Sequence, residues 1–203
     1  MNSNLVSKSW TRAALLASLV VPLGSSSAHA KDEPILYLNC FTISMDTGQS
    51  GMLEIAIERW SDPSVLNNLK AVLVEQGPDK LLSALQKVKP RAGFIRTSNS
   101  VGWDIHYARE SELPGGVKKV VIATDRPIGF WEARADNRST DYEFTLAEIR
   151  LDKKGGLEGE GKLVTAAKIT YNKETKQIEI ENYGNEPLRL SDVKVQVPKD
   201  KKK

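Results

Sequence analysis

From residue 35 to residue 197 the chain keeps returning to one pattern, apolar and polar residues alternating with a period of two. That period sends successive side chains to opposite faces of an extended strand, so it calls for sheets with one face on a core. Residues 52–60 show it most cleanly, with Leu53, Ile55 and Ile57 on one face and Glu54 and Glu58 on the other. Residues 35–43 are apolar on both faces, which suits a central strand or one closed inside a barrel. The turn cluster DTGQSG at 46–51 joins these two runs into an N-terminal hairpin.

One stretch breaks the period. Leu66, Leu69 and Leu73, flanked by Val65 and Val72, form a stripe at helical spacing. Ser61 or Asp62 can cap this helix, and Pro63 fits its first turn, where a missing N–H costs nothing. Gly77 ends it, Pro78 opens a second helix carrying Leu81, Leu82, Leu85 and Val88, and Pro90 closes that one. The expectation is a helical hairpin over 63–88, packed on the end or face of a sheet. A partner-binding groove is the other use such a stripe has.

Strand patterns then resume at 94–97 and 103–109, and LPGG at 113–116 turns the chain into a returning strand at 117–124. In 142–151 the apolar positions move from even (Tyr142, Phe144, Leu146) to odd (Ile149, Leu151), which predicts a β-bulge near Ala147 or Glu148. Gly159 and Gly161 share a face of the next short strand, predicting close approach of a neighbour or a sharp bend. Their GEGEGK run lacks phosphate-loop spacing. Residues 168–171 and 177–180 flank the polar turn NKETK, and two strands lie around YGNEP at 183–187. The fold class is therefore mainly β, a single antiparallel barrel or sandwich of about nine or ten strands with one inserted helical hairpin.

The ends read differently. Lys8 and Arg12 precede a short apolar run at 13–23, and Ala28-His29-Ala30 supplies small residues at −3 and −1, so residues 1–30 are expected to be a cleavable signal peptide of bacterial type. The apolar run falls short of the about 20 residues a bilayer requires. Residues 31–198 then form one β-rich domain, and 199–203 (KDKKK, with nothing apolar to bury) a disordered basic tail. No transmembrane segment is expected after cleavage, and the product is expected in the periplasm or outside the cell. Beyond the signal, 27 basic side chains face 26 acidic ones, so no uniform field attracts nucleic acid. The single cysteine, Cys40, lies in the apolar run LYLNCFTI and is expected to act as a small buried hydrophobe.

The densest chemistry lies at 124–144, TDRPIGFWEARADNRSTDYEF, where carboxylates, arginines and aromatics crowd together. Trp131 and Arg126 with Arg138, and Trp103 from an earlier strand, are the ligand-binding candidates. Glu132 and Asp141 are the catalytic candidates, because glycoside cleavage works with two carboxyl groups and aromatics that stack a sugar. A clasp is the structural alternative, with Asp125–Arg126 and Arg138–Asp141 pairing while Phe130 and Trp131 plug the core. After signal cleavage His106 is the only histidine. Strand alternation puts it on one face with Asp104, so those two can hydrogen-bond. One His and one Cys do not furnish a zinc site. Asp136, Asn137, Asp141 and Glu132 are oxygen donors, but they lack calcium-loop spacing and three arginines oppose a cation, so no metal and no cofactor is expected. Asn137-Arg138-Ser139 fits the glycosylation sequon, which matters only in a eukaryotic secretory host.

Two resemblances add to this. TDRPIGFWE followed by RSTDYEFTLAEIRLD, with GWDIHYAR before and IEIENYG after, resembles exported bacterial proteins of an uncharacterised family, over most of the chain beyond the signal. It implies no activity, ligand or catalytic residue. The pattern N-x-G-x-x-P-L within 180–197 resembles a strand pair of bacterial immunoglobulin-like domains. The leading functional expectation is an exported, non-enzymatic module binding a small molecule, glycan, peptide or envelope protein. A carboxylate-dependent hydrolase and a structural envelope protein are the alternatives.

Overall fold

The computed structural model describes residues 33–196 apart from 46, 47, 49, 99, 129–141, 184 and 185. Among the described residues nine strands and two helices follow one another: β1 (Leu36–Ile43), β2 (Ser50–Ile57), α1 (Pro63–Gln76), α2 (Pro78–Gln86), β3 (Gly93–Thr97), β4 (Trp103–Leu113), β5 (Val117–Thr124), β6 (Phe144–Lys153), β7 (Glu158–Asn172), β8 (Gln177–Asn182) and β9 (Leu188–Val195). The strands run in the order β6-β5-β4-β3-β2-β1-β9-β7, every pairing is antiparallel, and β6 pairs with β7. That last pairing closes an eight-stranded barrel, which leaves β8 as an extra strand along the far half of β7. Of the two expected architectures, barrel and sandwich, the chain adopts the barrel. β8 and β9 are not hydrogen-bonded to each other; both flank β7.

The barrel interior is filled with side chains. Leu53, Ile55 and Ile57 of β2 point inward as the alternation requires, beside Leu38, Ile95, Ile105 and Ile122, and all of them are inaccessible to solvent. Trp60 and Trp103 pack against this core from positions that stay half-buried. Cys40 is buried in the same core, and burial pushes its thiol up to about 12.

β7 joins what the alternation separated into two short strands. Gly159 and Gly161 lie where it crosses β6: a Cβ on Gly159 would strike the Arg150 carbonyl, and one on Gly161 the Glu148 carbonyl. The expected close approach is therefore there, backbone against backbone. The bulge expected at Ala147 or Glu148 is not. β6 pairs with β5 in unbroken register from Thr145 to Leu151, and the irregularity lies in its partner: Leu146 faces Val164 while Phe144 faces Ala167, so β7 carries an extra residue near Thr165 and Ala166. The even-to-odd change in 142–151 has another cause. Ala147, Ile149 and Leu151 face the barrel core, whereas Phe144 and Leu146 face a second apolar cluster outside it.

That second cluster seats the helices. Asp62 caps α1 through its Oδ1, which accepts from Ser64 N at 2.8 Å. Gly77, at φ 89°, makes the break between the helices, a conformation open to glycine at little cost. Leu73 of α1 and Leu81 and Leu85 of α2 bury against Tyr107, Phe144 and Ala167 on the outer barrel wall. Of the end or face offered by the sequence pattern, the hairpin covers a face.

Two outcomes test this arrangement. Gly159→Ala should lower stability in urea unfolding by about 1–3 kcal/mol, the usual range for forced overpacking; an unchanged midpoint would show that the β6–β7 crossing yields at no cost. The second concerns Cys40, whose unfolded thiol ionises near 9.0 and whose folded thiol does so only near 12. The folded state then holds a proton that the unfolded state has released, so the stability linked to this thiol is intact below pH about 9 and is lost as pH rises toward 12. Between pH 8 and 10.5 the wild type should lose more stability than Cys40→Ala; parallel curves would contradict the burial.

Candidate functional site

The outer wall of the barrel beneath the helices is not fully covered. A groove of about 380 Å³ runs between α1, α2, the outward side chains of β5, β6 and β7, and β8. Leu66, Leu69 and Leu73 form its helical wall, the stripe that defined α1 in the sequence. Val121, Ala123, Leu146 and Val164 form its floor, and Ile169, Ile178 and Ile180 the side along the β7–β8 hairpin. Ile178 and Ile180 remain 41% and 57% exposed, a high share for isoleucines that a partner strand holds in place.

The extra residue in β7 makes this lining continuous. Without it Ala167, Ile169 and Tyr171 would take the opposite parity to Val164; with it all four join the outer cluster. The backbone it displaces is held by hydrogen bonds. Thr165 O accepts from the Thr145 hydroxyl at 2.8 Å and from Ile128 N at 3.1 Å, and Ala166 O accepts from Tyr183 N at 3.0 Å. Ile128 is inaccessible to solvent and belongs to the barrel core.

Among the described residues, Lys70, Glu148, Lys162 and Tyr107 are the lining residues whose side chains carry polar groups. Glu148 is already engaged, by Arg150 at 2.8 Å and by Lys119 at 3.9 Å. Lys70 and Lys162 have neither an ion pair nor a hydrogen bond among the described residues. Glu148, Lys162 and Pro187 also line a second trough of about 810 Å³, so the apolar groove opens onto a charged one. In the trough Arg150 is paired to Glu148, and Arg189 to Glu160 at 3.1 Å, while Glu186 also lines it and has no pair among the described residues.

A buried polar cluster sits at the C-terminal end of α2. His106 Nε2 lies 3.5 Å from Asp125 Oδ2, and Gln86 Nε2 donates to the same oxygen at 3.4 Å. The expected Asp104–His106 contact is replaced. Ile105 pairs with Thr124 and Tyr107 with Ala123, so β4 bulges at His106 and turns it away from Asp104, which instead binds Arg91 at 2.7 Å. His106 Nδ1 has no hydrogen-bond partner among the described residues.

Of the sequence candidates, Trp103 belongs to the barrel core's edge, and Arg126 donates from Nε to Asp125 Oδ1 at 3.3 Å with a side chain 63% exposed. Neither lines the groove. The expected Asp125–Arg126 pair is present. Trp131, Glu132, Arg138 and Asp141 lie outside the described residues, as do Phe130, Asp136 and the sequon. Both flanks of that segment are tied down: Ile128 to β7, and Tyr142 to β8 through Glu181 Oε1 at 2.6 Å and an edge-on contact with Tyr183. Among the described residues no three His, Cys, Asp or Glu side chains are grouped to hold a metal, and no helix is long and apolar enough to cross a membrane.

The groove was missed in the sequence because its residues come from seven elements, α1, α2 and β4 to β8. Its traces were the Leu stripe of α1, the apolar outward residues of β6 and the alternating Ile178 and Ile180 of β8. No family model, curated protein or solved structure matches the chain.

Thr145 is the position to test. The Thr145 hydroxyl also accepts from Ile128 N at 2.9 Å, so Thr145→Val keeps the shape but takes one partner each from the Thr165 carbonyl and the Ile128 amide, and stability should fall by about 1–3 kcal/mol. Hydrogen exchange at the Ile128 amide should speed up in parallel; an amide protected as in wild type would mean that Thr165 alone holds the segment.

Proposed function

We propose that this chain is an exported, non-enzymatic binding module whose ligand is an apolar small molecule held in the groove between the helical hairpin and the outer barrel wall. One observation carries this: a groove of about 380 Å³, lined mostly by Leu, Ile, Val and Ala, on the outside of a barrel whose interior is already packed. That volume falls in the range of small-molecule sites, about 300–1,000 Å³. The lining also favours a hydrocarbon over a peptide. A peptide would bring amides that lose their water and find almost no partners here, whereas an alkyl chain has no polar group to strand. Export rests on the N-terminal pattern and on the resemblance to exported bacterial proteins.

The binding test uses N-phenyl-1-naphthylamine, a neutral dye that fluoresces strongly only in apolar surroundings. Wild type should bind it saturably with one dye per chain. Ile180→Glu, at a position exposed enough to tolerate charge, should weaken binding about tenfold or more by placing a carboxylate on the groove wall. A wild type that shows no saturable binding sinks the proposal.

A further inference from the structure

We infer that the ligand is a single-chain anionic amphiphile, a long-chain carboxylate, with its alkyl chain in the apolar groove and its head on Lys162. The inference rests on the groove being a binding site and goes on to name what fills it.

Charge bookkeeping at the groove selects the head. Three charged side chains line it: Lys70, Glu148 and Lys162. Glu148 is neutralised within the protein by Arg150 and Lys119. The two lysines are not paired among the described residues, so the groove presents uncompensated positive charge to anything that enters. A cation beside an apolar wall attracts an anion more strongly than in open water, because the wall displaces high-dielectric solvent.

Position selects Lys162 over Lys70. Lys162 lines both the apolar groove and the charged trough, so it stands where the two meet, whereas Lys70 lines the groove alone. A chain lying in the groove brings its end to Lys162 as it reaches the trough, and the carboxylate stays in contact with water there. Lys162 sits on β7 between Glu148 of β6 and Arg189 of β9 in the ladder. Each of those neighbours is engaged elsewhere, Arg189 with Glu160, which leaves the ammonium of Lys162 available as a donor. Such a charge-assisted hydrogen bond adds to hydrocarbon burial and fixes the direction in which the chain lies.

The experiment displaces the bound dye with three ten-carbon ligands of equal length: decanoate, decanol and decylammonium, all below their aggregation limits. Wild type should prefer decanoate over decanol by about tenfold and bind decylammonium worst, as a charge-assisted bond at the mouth predicts. Lys162→Gln, an exposed position, should erase the decanoate preference and leave decanol unchanged, while Lys70→Gln should keep most of it. Equal binding of decanoate and decanol by wild type overturns the assigned head and leaves the apolar groove standing. Loss of the preference in Lys70→Gln but not in Lys162→Gln overturns the assignment to Lys162. Failure of all three ligands to displace the dye removes the amphiphile, and a wild type that never bound the dye removes the groove as a site.

Discussion

The extra residue near Thr165 and Ala166 in β7 is the constraint on which the rest of the structure turns. β7 does two tasks with one run of backbone. Its first half closes the barrel between β6 and β9, and its second half carries β8 as a projecting hairpin. Those tasks require different parity, since Leu163 must face the barrel core while Ala167, Ile169 and Tyr171 must face the helices. A regular strand keeps one parity throughout, so one inserted residue is the least disturbance that meets both needs. The two carbonyls it displaces are held by Thr145, Ile128 and Tyr183, which ties β6, the chain after β5 and the chain after β8 to a single point.

The groove follows from that geometry. The leucines of α1 and α2 bury against Tyr107, Phe144 and Ala167, and the apolar floor between the helices and β8 stays accessible. Leu and Ile side chains of the described residues fill the barrel interior. The accessible apolar surface thus lies outside the barrel, on a wall that most antiparallel sheets would turn to water.

Much of the frame was legible in single residues. The alternation of Leu53, Ile55 and Ile57 named the inner face of β2, and Pro63, Gly77 and Pro78 delimited both helices within a residue or two. Gly159 and Gly161 announced a backbone crossing that the β6–β7 pairing supplies. The failures were also specific. The parity change in 142–151 was assigned to β6 itself, although it records a strand buried on both faces by different layers, and the bulge belonged to β7. His106 was paired with Asp104 on the assumption of regular alternation, and a bulge in β4 gave it Asp125 instead. Residues 124–144 stand out in the sequence for their density of charge and aromatics. The groove is chemically plain by comparison, and its residues are scattered from Leu66 to Pro187.

What the sequence alone determined is the set of local preferences: period two for strands, a capped and glycine-broken helical hairpin, and glycines where only backbone fits. These are read between near neighbours, because side-chain direction and φ range depend on a few consecutive residues. Only the tertiary structure decided that the sheet closes, that the helices lie on its outer wall, and that Lys162, without a pair among the described residues, stands where an apolar groove meets a charged trough. Those outcomes depend on which strand pairs with which and in what register. Register is set by contacts between residues far apart in the chain, which no local period encodes.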